Sequence, residues 1–415
     1  MGERISRFKN TVSKYGFIKA FKKVTFYLYC SLFDKFGIPK EKEKAIIAKA
    51  LEGSFQRIII RLSPFGYNVP LFQRPQHLAN SLAKNGCLVF YNVSTMTDGV
   101  RYIKRLGENL YLINLSNILT HRRLMNALKK INVPKYIEIY STDRTTVPRD
   151  ILNYKKDGFG IIYQYVDHIA PEISGTRRVP KNIIKSYKHV INDSDVFIVA
   201  TADALYNDIA SSRGKRRLIL STNGVDTSHF RKWDDRKIPR DLKNILDRGL
   251  PSICYYGAIA SWLDLELIRK IDEANEFSTV LIGVDYDGSL RRIKGLKNTF
   301  YLGHKSYPEL KYYARECDVL MIPFKVGDIS RSTSPVKLFE YMAIGRPIVC
   351  TDMDECRKYH SVLMAKDHDE FILMLHKALL LKDNEAYKAA LCRDAEANDW
   401  SIKAKEIISL LLEGE

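Results

Sequence analysis

One feature narrows the fold of this chain more than any other. Short, largely apolar runs, without sustained polar alternation, alternate with segments of helical length. "FQRIIIRLS", "CLVFYNVS", "YIEIYS", "GIIYQYVD", "DVFIVAT" and "RLILSTNGVD" follow one another between residues 55 and 226. A strand with one face in water alternates apolar and polar residues, whereas a strand covered on both faces reads as a continuous apolar run. Between the runs lie "RPQHLANSLAKNG", "KSYKHVINDS" and "ADALYNDIASSRG", which have helical spacing. The first of these ends at Gly86, a residue suited to the left-handed turn that closes a helix. Such alternation predicts a doubly wound parallel sheet with helices on both faces.

A second series begins at about residue 249: "SICYYGA", "STVLIGV", "NTFYLG", "VLMIPF" and "RPIVCTD", with helices between. At 415 residues the chain exceeds what one core supports, so two domains are expected. The boundaries read as a basic amphipathic extension over 1–52, a Rossmann-like domain over 53–235 and a charged linker over 236–248. A second Rossmann-like domain occupies 249–395, and a helix over 396–415 is placed to cross back to the first. Ligands in such sheets bind beyond the C-terminal strand ends, here across the cleft between the two domains.

A formal net charge of +18 points to negatively charged partners. Residues 1–50 hold twelve Lys or Arg against four acids. Phe17, Phe21, Val24 and Leu28 share one helical stripe there, with Lys19, Lys22 and Lys23 largely off it. That pattern predicts docking on an anionic membrane surface through residues 1–50. No nucleic-acid partner is expected, because no nucleic-acid motif accompanies the charge. The apolar run "VTFYLYCSLF" is too short to span a bilayer, and no secretory leader is visible. The expected location is the cytoplasm, peripheral at the inner face of the plasma membrane. The seven cysteines are scattered and read as buried thiols.

The most informative stretch is "SPVKLFEYMAIGRPIVC", residues 334–350. Ser334 suits a helix N-cap and Pro335 the first helical position. First-turn amides and the helix dipole favour an anion, and Lys337 adds a full charge. Glu340 lies one turn on, where a carboxylate can accept hydrogen bonds from ribose hydroxyls. The plain alternative is an ion pair on a helix surface.

This stretch, with "DVLMIPF" before it and "NGVDTSHF" ending the first domain, resembles the GT-B glycosyltransferases. The likeness is closest to the broad group that assembles bacterial surface polysaccharides. "RPQHLANSLAKNG", "YYGAIASWLDLELI" and "NTFYLGHKSYPELKYYARECDVLMIPF" extend it over roughly residues 55–410. The resemblance implies a nucleoside-diphosphate sugar donor, with UDP as the nucleotide, and a glycan or lipid-linked acceptor. It implies that Glu340 holds the ribose, that Lys337 with first-turn amides and Ser334 holds the diphosphate, and that the turn Gly257–Ser261 approaches the phosphates by backbone. His304 and Lys305 would flank the base. Many retaining members carry a glutamate eight residues before the ribose-binding one, and here that position is Ser332.

Asp167 ends the run "IIYQYVD". In inverting members of exopolysaccharide assembly, glucuronosyltransferases among them, an aspartate after the corresponding strand is the general base. The resemblance therefore implies Asp167 as base and an inverting course, with His168 the neighbouring candidate. Arg74, in the loop after the first strand, could touch donor phosphate or stabilise that loop. No metal-ligand motif occurs, so a metal-independent reaction without cofactor is expected. Two other readings keep the fold: a UDP-sugar 2-epimerase-like enzyme, and a catalytically inactive subunit that binds nucleotide or a partner.

Overall fold

The computed structural model describes residues 40–414 apart from 64, 94–97, 171–177, 233, 235–236, 328–329 and 331. Most of the basic extension, with the stripe from Phe17 to Leu28, lies outside the described residues.

In the first lobe the order is α1 (Lys40–Leu51), β1 (Arg57–Leu62), α2 (Arg74–Lys84), β2 (Cys87–Asn92), β3 (Ile103–Gly107), β4 (Leu110–Ile113) and α3 (Ile118–Leu128). It continues with β5 (Lys135–Tyr140), α4 (Pro148–Lys156), β6 (Gly160–Tyr165), α5 (Lys181–Ile191), β7 (Phe197–Ala200), α6 (Asp203–Arg213) and β8 (Leu218–Leu220). These eight strands form one sheet in the order β3-β4-β2-β1-β5-β6-β7-β8. All neighbours are parallel except β3, which pairs antiparallel with β4 at the edge. Burial explains the alternation: β1, β2, β5 and β6 are enclosed over nearly their whole length. One core joins α1, α3, α4, α5 and α6 to one face of the sheet.

The second lobe begins with α7 (Thr227–Arg231), α8 (Arg240–Leu246), β9 (Ser252–Tyr256), α9 (Leu265–Ala274), β10 (Ser278–Ile282), β11 (Thr299–Tyr301) and α10 (Tyr307–Ala314). Then come β12 (Val319–Ile322), α11 (Val336–Ile344), β13 (Ile348–Thr351), β14 (Val362–Ala365), α12 (His368–Leu381), α13 (Glu385–Ala397) and α14 (Trp400–Leu412). Its six strands are all parallel, in the order β11-β10-β9-β12-β13-β14.

The segment read as a linker is a packed part of this lobe. Leu242 and Ile245 of α8, with Phe230 of α7, enter its hydrophobic core. High charge hid an amphipathic helix. The chain instead changes lobes twice, side by side. Val225 donates its amide to Asn398 and accepts one from Trp400, at 3.0 and 2.9 Å. Gly224 permits that approach, since a Cβ there would sit 2.4 Å from the Asn398 carbonyl oxygen. After the second crossing, α14 runs back over the first lobe. Trp400, Ile407 and Leu411 pack with Leu78 and Leu82 of α2 on the face opposite α3.

Of the described cysteines none is paired, and five of six are buried. Among the described residues no helix is long and apolar enough to cross a membrane.

Candidate functional site

The C-terminal ends of both sheets face one interlobe rim, and direct contacts close it. The Asn223 side chain donates to the Ser334 carbonyl at 2.5 Å, and its backbone amide donates to the Ser334 hydroxyl at 3.2 Å. Glu355 accepts the Asp203 amide at 2.8 Å, while Lys358 pairs with Asp203 at 2.8 Å. Tyr307 of the second lobe packs on Phe72 and His77 of the first, with ring centroids 5.2 Å apart in each case.

Helix α11 starts one residue later than its sequence suggests. Pro335 is the N-cap, with extended backbone (φ −74°, ψ 122°), and Gly345 closes the helix in the left-handed region. Ser334 therefore does not cap the helix. It ties the two lobes together, so its hydroxyl and carbonyl are already engaged. Ser332 is also enclosed, at 4% exposure.

Lys337 and Glu340 do not form a surface pair. The Lys337 ammonium lies between the rings of Tyr255 and Phe324, 5.4 and 5.3 Å from their centroids. Its stem meets the turn after β9: a Cβ on Gly257 would fall 2.7 Å from Lys337 Cε. Gly257 (φ +144°) is in turn crossed by Gly283 (φ +143°), whose Cβ would lie 1.7 Å from the Gly257 carbonyl oxygen. Two glycines in backbone conformations that side chains rarely adopt bring the turn within reach of the lysine. Burial lowers the Lys337 pKa, with the Glu340 charge opposing. Glu340 is 4% exposed and accepts the Tyr256 hydroxyl at 2.9 Å. Burial raises its pKa, opposed by Tyr256, Lys337 and the neighbouring Tyr307 phenol. The sequence reading missed Tyr256, Tyr307 and Gly283. Tyr256 ends an apolar run that reads as plain core.

Across the rim, Asp167 follows β6, a central strand of the first sheet. Desolvation alone pushes its carboxyl up to about 7. No hydrogen bond or ion pair joins its side chain to the described residues. His168 beside it is exposed.

Other sequence candidates are placed differently. Arg74 is buried, donating to Gln164 at 3.1 Å and to the Thr222 carbonyl at 2.8 Å. It belongs to a ladder in the first lobe: Gln164 donates to Glu138 at 2.6 Å, and Glu138 pairs with Arg61 at 2.6 Å, both fully enclosed. Arg74 thus fastens the rim from inside and does not present itself to the cleft. Lys305 pairs with Asp241 of α8 at 2.7 Å and lies over the Tyr313 ring, so it is not available as a base-flanking group. His304 is exposed and meets the Pro70 carbonyl of the first lobe at 3.1 Å. Ser261 is exposed, its amide held by Asp287 at 2.9 Å. Among the described residues, no three His, Cys, Asp or Glu side chains are grouped to hold a metal ion.

Two Rossmann-like lobes, joined by a double crossing and returning their last helix to the first lobe, define the GT-B fold. Residues 255–381 match the family model described as "Glycosyl transferases group 1". The chain therefore has the GT-B fold, and its second lobe carries a domain of the glycosyl transferases group 1 family. It is 24% identical over 266 residues to the Bacillus subtilis (strain 168) protein TuaH, named as a teichuronic acid biosynthesis glycosyltransferase. That match covers 60% of this chain and 66% of TuaH, just under two thirds of the relative's length. Among solved structures, Anabaena HepE in complex with UDP superposes with a TM-score of 0.60 at 12% identity, covering 86% of this chain and all of that one. A UDP-forming trehalose-phosphate synthase from Burkholderia vietnamiensis gives 0.60 at 13% identity, over 86% and 96% of the two chains.

Proposed function

We propose that this protein transfers a sugar from a UDP-linked donor to a glycan or lipid-linked acceptor in bacterial surface-polysaccharide synthesis. The observation that carries the reading is the clasp at the second-lobe rim. There a cationic side chain in the first turn of α11 and a glycine turn meet beside an enclosed carboxylate. Solved GT-B neighbours hold UDP and UDP-glucose. The TuaH name supports a polysaccharide context.

In this reading the acceptor hydroxyl oxygen attacks the donor's anomeric carbon while its proton passes to Asp167. The bond from that carbon to the diphosphate oxygen breaks, and its electron pair leaves with UDP. Lys337 and the α11 amides take up the developing charge, the kind of fixed electrostatic stabilisation that dominates such reactions. Glu340 and Tyr256 position the ribose. Attack assisted by a base opposite the leaving group inverts the anomeric centre, and Ser332 supplies no carboxylate for a retaining course. No step needs a metal ion. The basic extension, residues 1–50, brings the protein to the anionic inner membrane surface where lipid-linked acceptors reside.

The test is ligand-induced stabilisation. UDP or a UDP-sugar at about 100 times its Kd should add about 2.7 kcal/mol of stability. Lys337→Ala should abolish most of that shift and lower kcat/KM by about 10²–10³. A full shift in the variant would remove Lys337 from the donor site.

A further inference from the structure

Three neighbouring strands of the second sheet, β10, β9 and β12, end in loops stitched together by backbone bonds. Tyr286 donates its amide to the Ile259 carbonyl at 2.8 Å, and Lys325 donates to the Trp262 carbonyl at 2.9 Å. Bridges at Ile259–Asp285 and Leu263–Phe324 extend the same stitching. This small ladder displays large apolar side chains to solvent: Trp262 at 37%, Tyr286 at 48% and Val326 at 50% exposure. The Trp262 and Tyr286 rings are 5.6 Å apart, tilted by 47°. Held on a bonded backbone, the two rings form a fixed platform. Exposed apolar groups gathered in this way mark a binding surface more often than isolated ones do.

The platform adjoins a pocket of about 360 Å³, lined by Val326, Phe324, Asp264, Lys366, Asp367 and His368 among others. That volume lies at the lower end of the roughly 300–1,000 Å³ typical of ligand sites. Its polar wall mixes carboxylates with cations, and His368 contacts Asp264 at 2.8 Å. Donors and acceptors set side by side, next to aromatic faces, match a saccharide: its axial C–H face lies on a ring and its hydroxyls both donate and accept. A purely anionic ligand would not favour three carboxylates. The pocket and the donor clasp share one side chain: Phe324, which lines the pocket, is also a ring beside the Lys337 ammonium, 5.3 Å from its centroid.

We propose that Trp262 and Tyr286, with this pocket, form a glycan subsite that holds a sugar unit of the acceptor chain next to the donor site. This inference rests on the glycosyltransferase reading. The same surface would confer preference for longer acceptors, since only a chain of several units can reach both the rim and the pocket.

The experiment is a calorimetric titration of the full-length protein with cellotetraose, chitotetraose and a hyaluronan tetrasaccharide, each with and without saturating UDP. At least one should bind saturably. Trp262→Ala and Tyr286→Ala should each weaken that binding by about tenfold, the scale of losing one stacked ring, while Trp262→Phe stays within about threefold. The UDP-induced thermal shift should be unchanged in all three variants, which also shows that they are folded. Absence of binding by every tetrasaccharide, or wild-type affinity in both alanine variants, overturns the subsite. A failure of UDP to bind would count against the donor reading instead, because the titrations without UDP report the platform independently.

Discussion

The two lobes share an architecture but spend their buried charges differently. In the first lobe, Arg61, Glu138, Gln164 and Arg74 bond to one another inside the protein, while Asp167 at the rim makes no side-chain bond to the described residues. In the second, Lys337 makes no ion pair with the described residues and faces aromatic rings and a glycine turn. Internal pairing makes a group structural, whereas a desolvated group left unpaired is poised to meet something that arrives. In the proposed reaction the first lobe would offer a proton acceptor and the second a cation.

The sharpest way to break this contrast is Asp167→Asn. Loss of a general base should lower kcat by about 10²–10⁴, with UDP affinity unchanged. The base acts when deprotonated, so the wild-type rate should rise with pH through about 7. Stability carries the opposite sign. A carboxyl raised in the folded state contributes most below its unfolded pKa of about 3.9, and the contribution is lost as pH climbs through the folded value. Asp167→Asn should therefore raise Tm at pH 8 and leave it little changed at pH 4. A variant with wild-type turnover would end the assignment of the base.

Glu138→Gln probes the other half of the contrast. It leaves Arg61 fully buried without its counter-charge, a change that costs about 3–5 kcal/mol. The urea midpoint of the first lobe should fall markedly, while UDP still stabilises the second lobe. If UDP binding collapsed instead, the ladder would belong to the donor site and the division of labour between the lobes would be wrong.

How much of this could be read from the sequence follows the same division. Largely apolar runs announced the parallel sheets, because two covered faces leave little polar alternation to confuse them. Lys337 and Glu340 were legible because helix spacing and strand order place them at a sheet edge. Asp167 was legible as a residue after a central strand, though its desolvation was not. The Arg61–Glu138 ladder was hidden, since charges inside "RIIIRL" and "YIEIY" look like solvent-facing positions until the partner strand is known. The edge pair β3 and β4 is short, and "IKRLG" mixes charge with apolar residues. Helix α8 was hidden by its charge, and Ser334 by a Ser-Pro start that also suits an N-cap.

The smallest expected effect tests the finest of these distinctions. Lys305 follows β11 at the same edge, and by position alone it would serve a nucleotide base. Its ammonium instead pairs with Asp241, 2.7 Å away, and covers the Tyr313 ring. Both partners belong to the packing of α8 and α10; burial opposes both charges, but the mutual contact and the Tyr313 hydroxyl outweigh it and leave the lysine pKa raised and the carboxyl lowered. A partly exposed pair of this kind contributes only about 0–1 kcal/mol. Lys305→Ala should accordingly leave UDP affinity within about twofold, and shift Tm by no more than that pair is worth. A loss of UDP binding comparable to that in Lys337→Ala would mean that the pair opens on binding, and that the second lobe holds a further cation in reserve for its ligand.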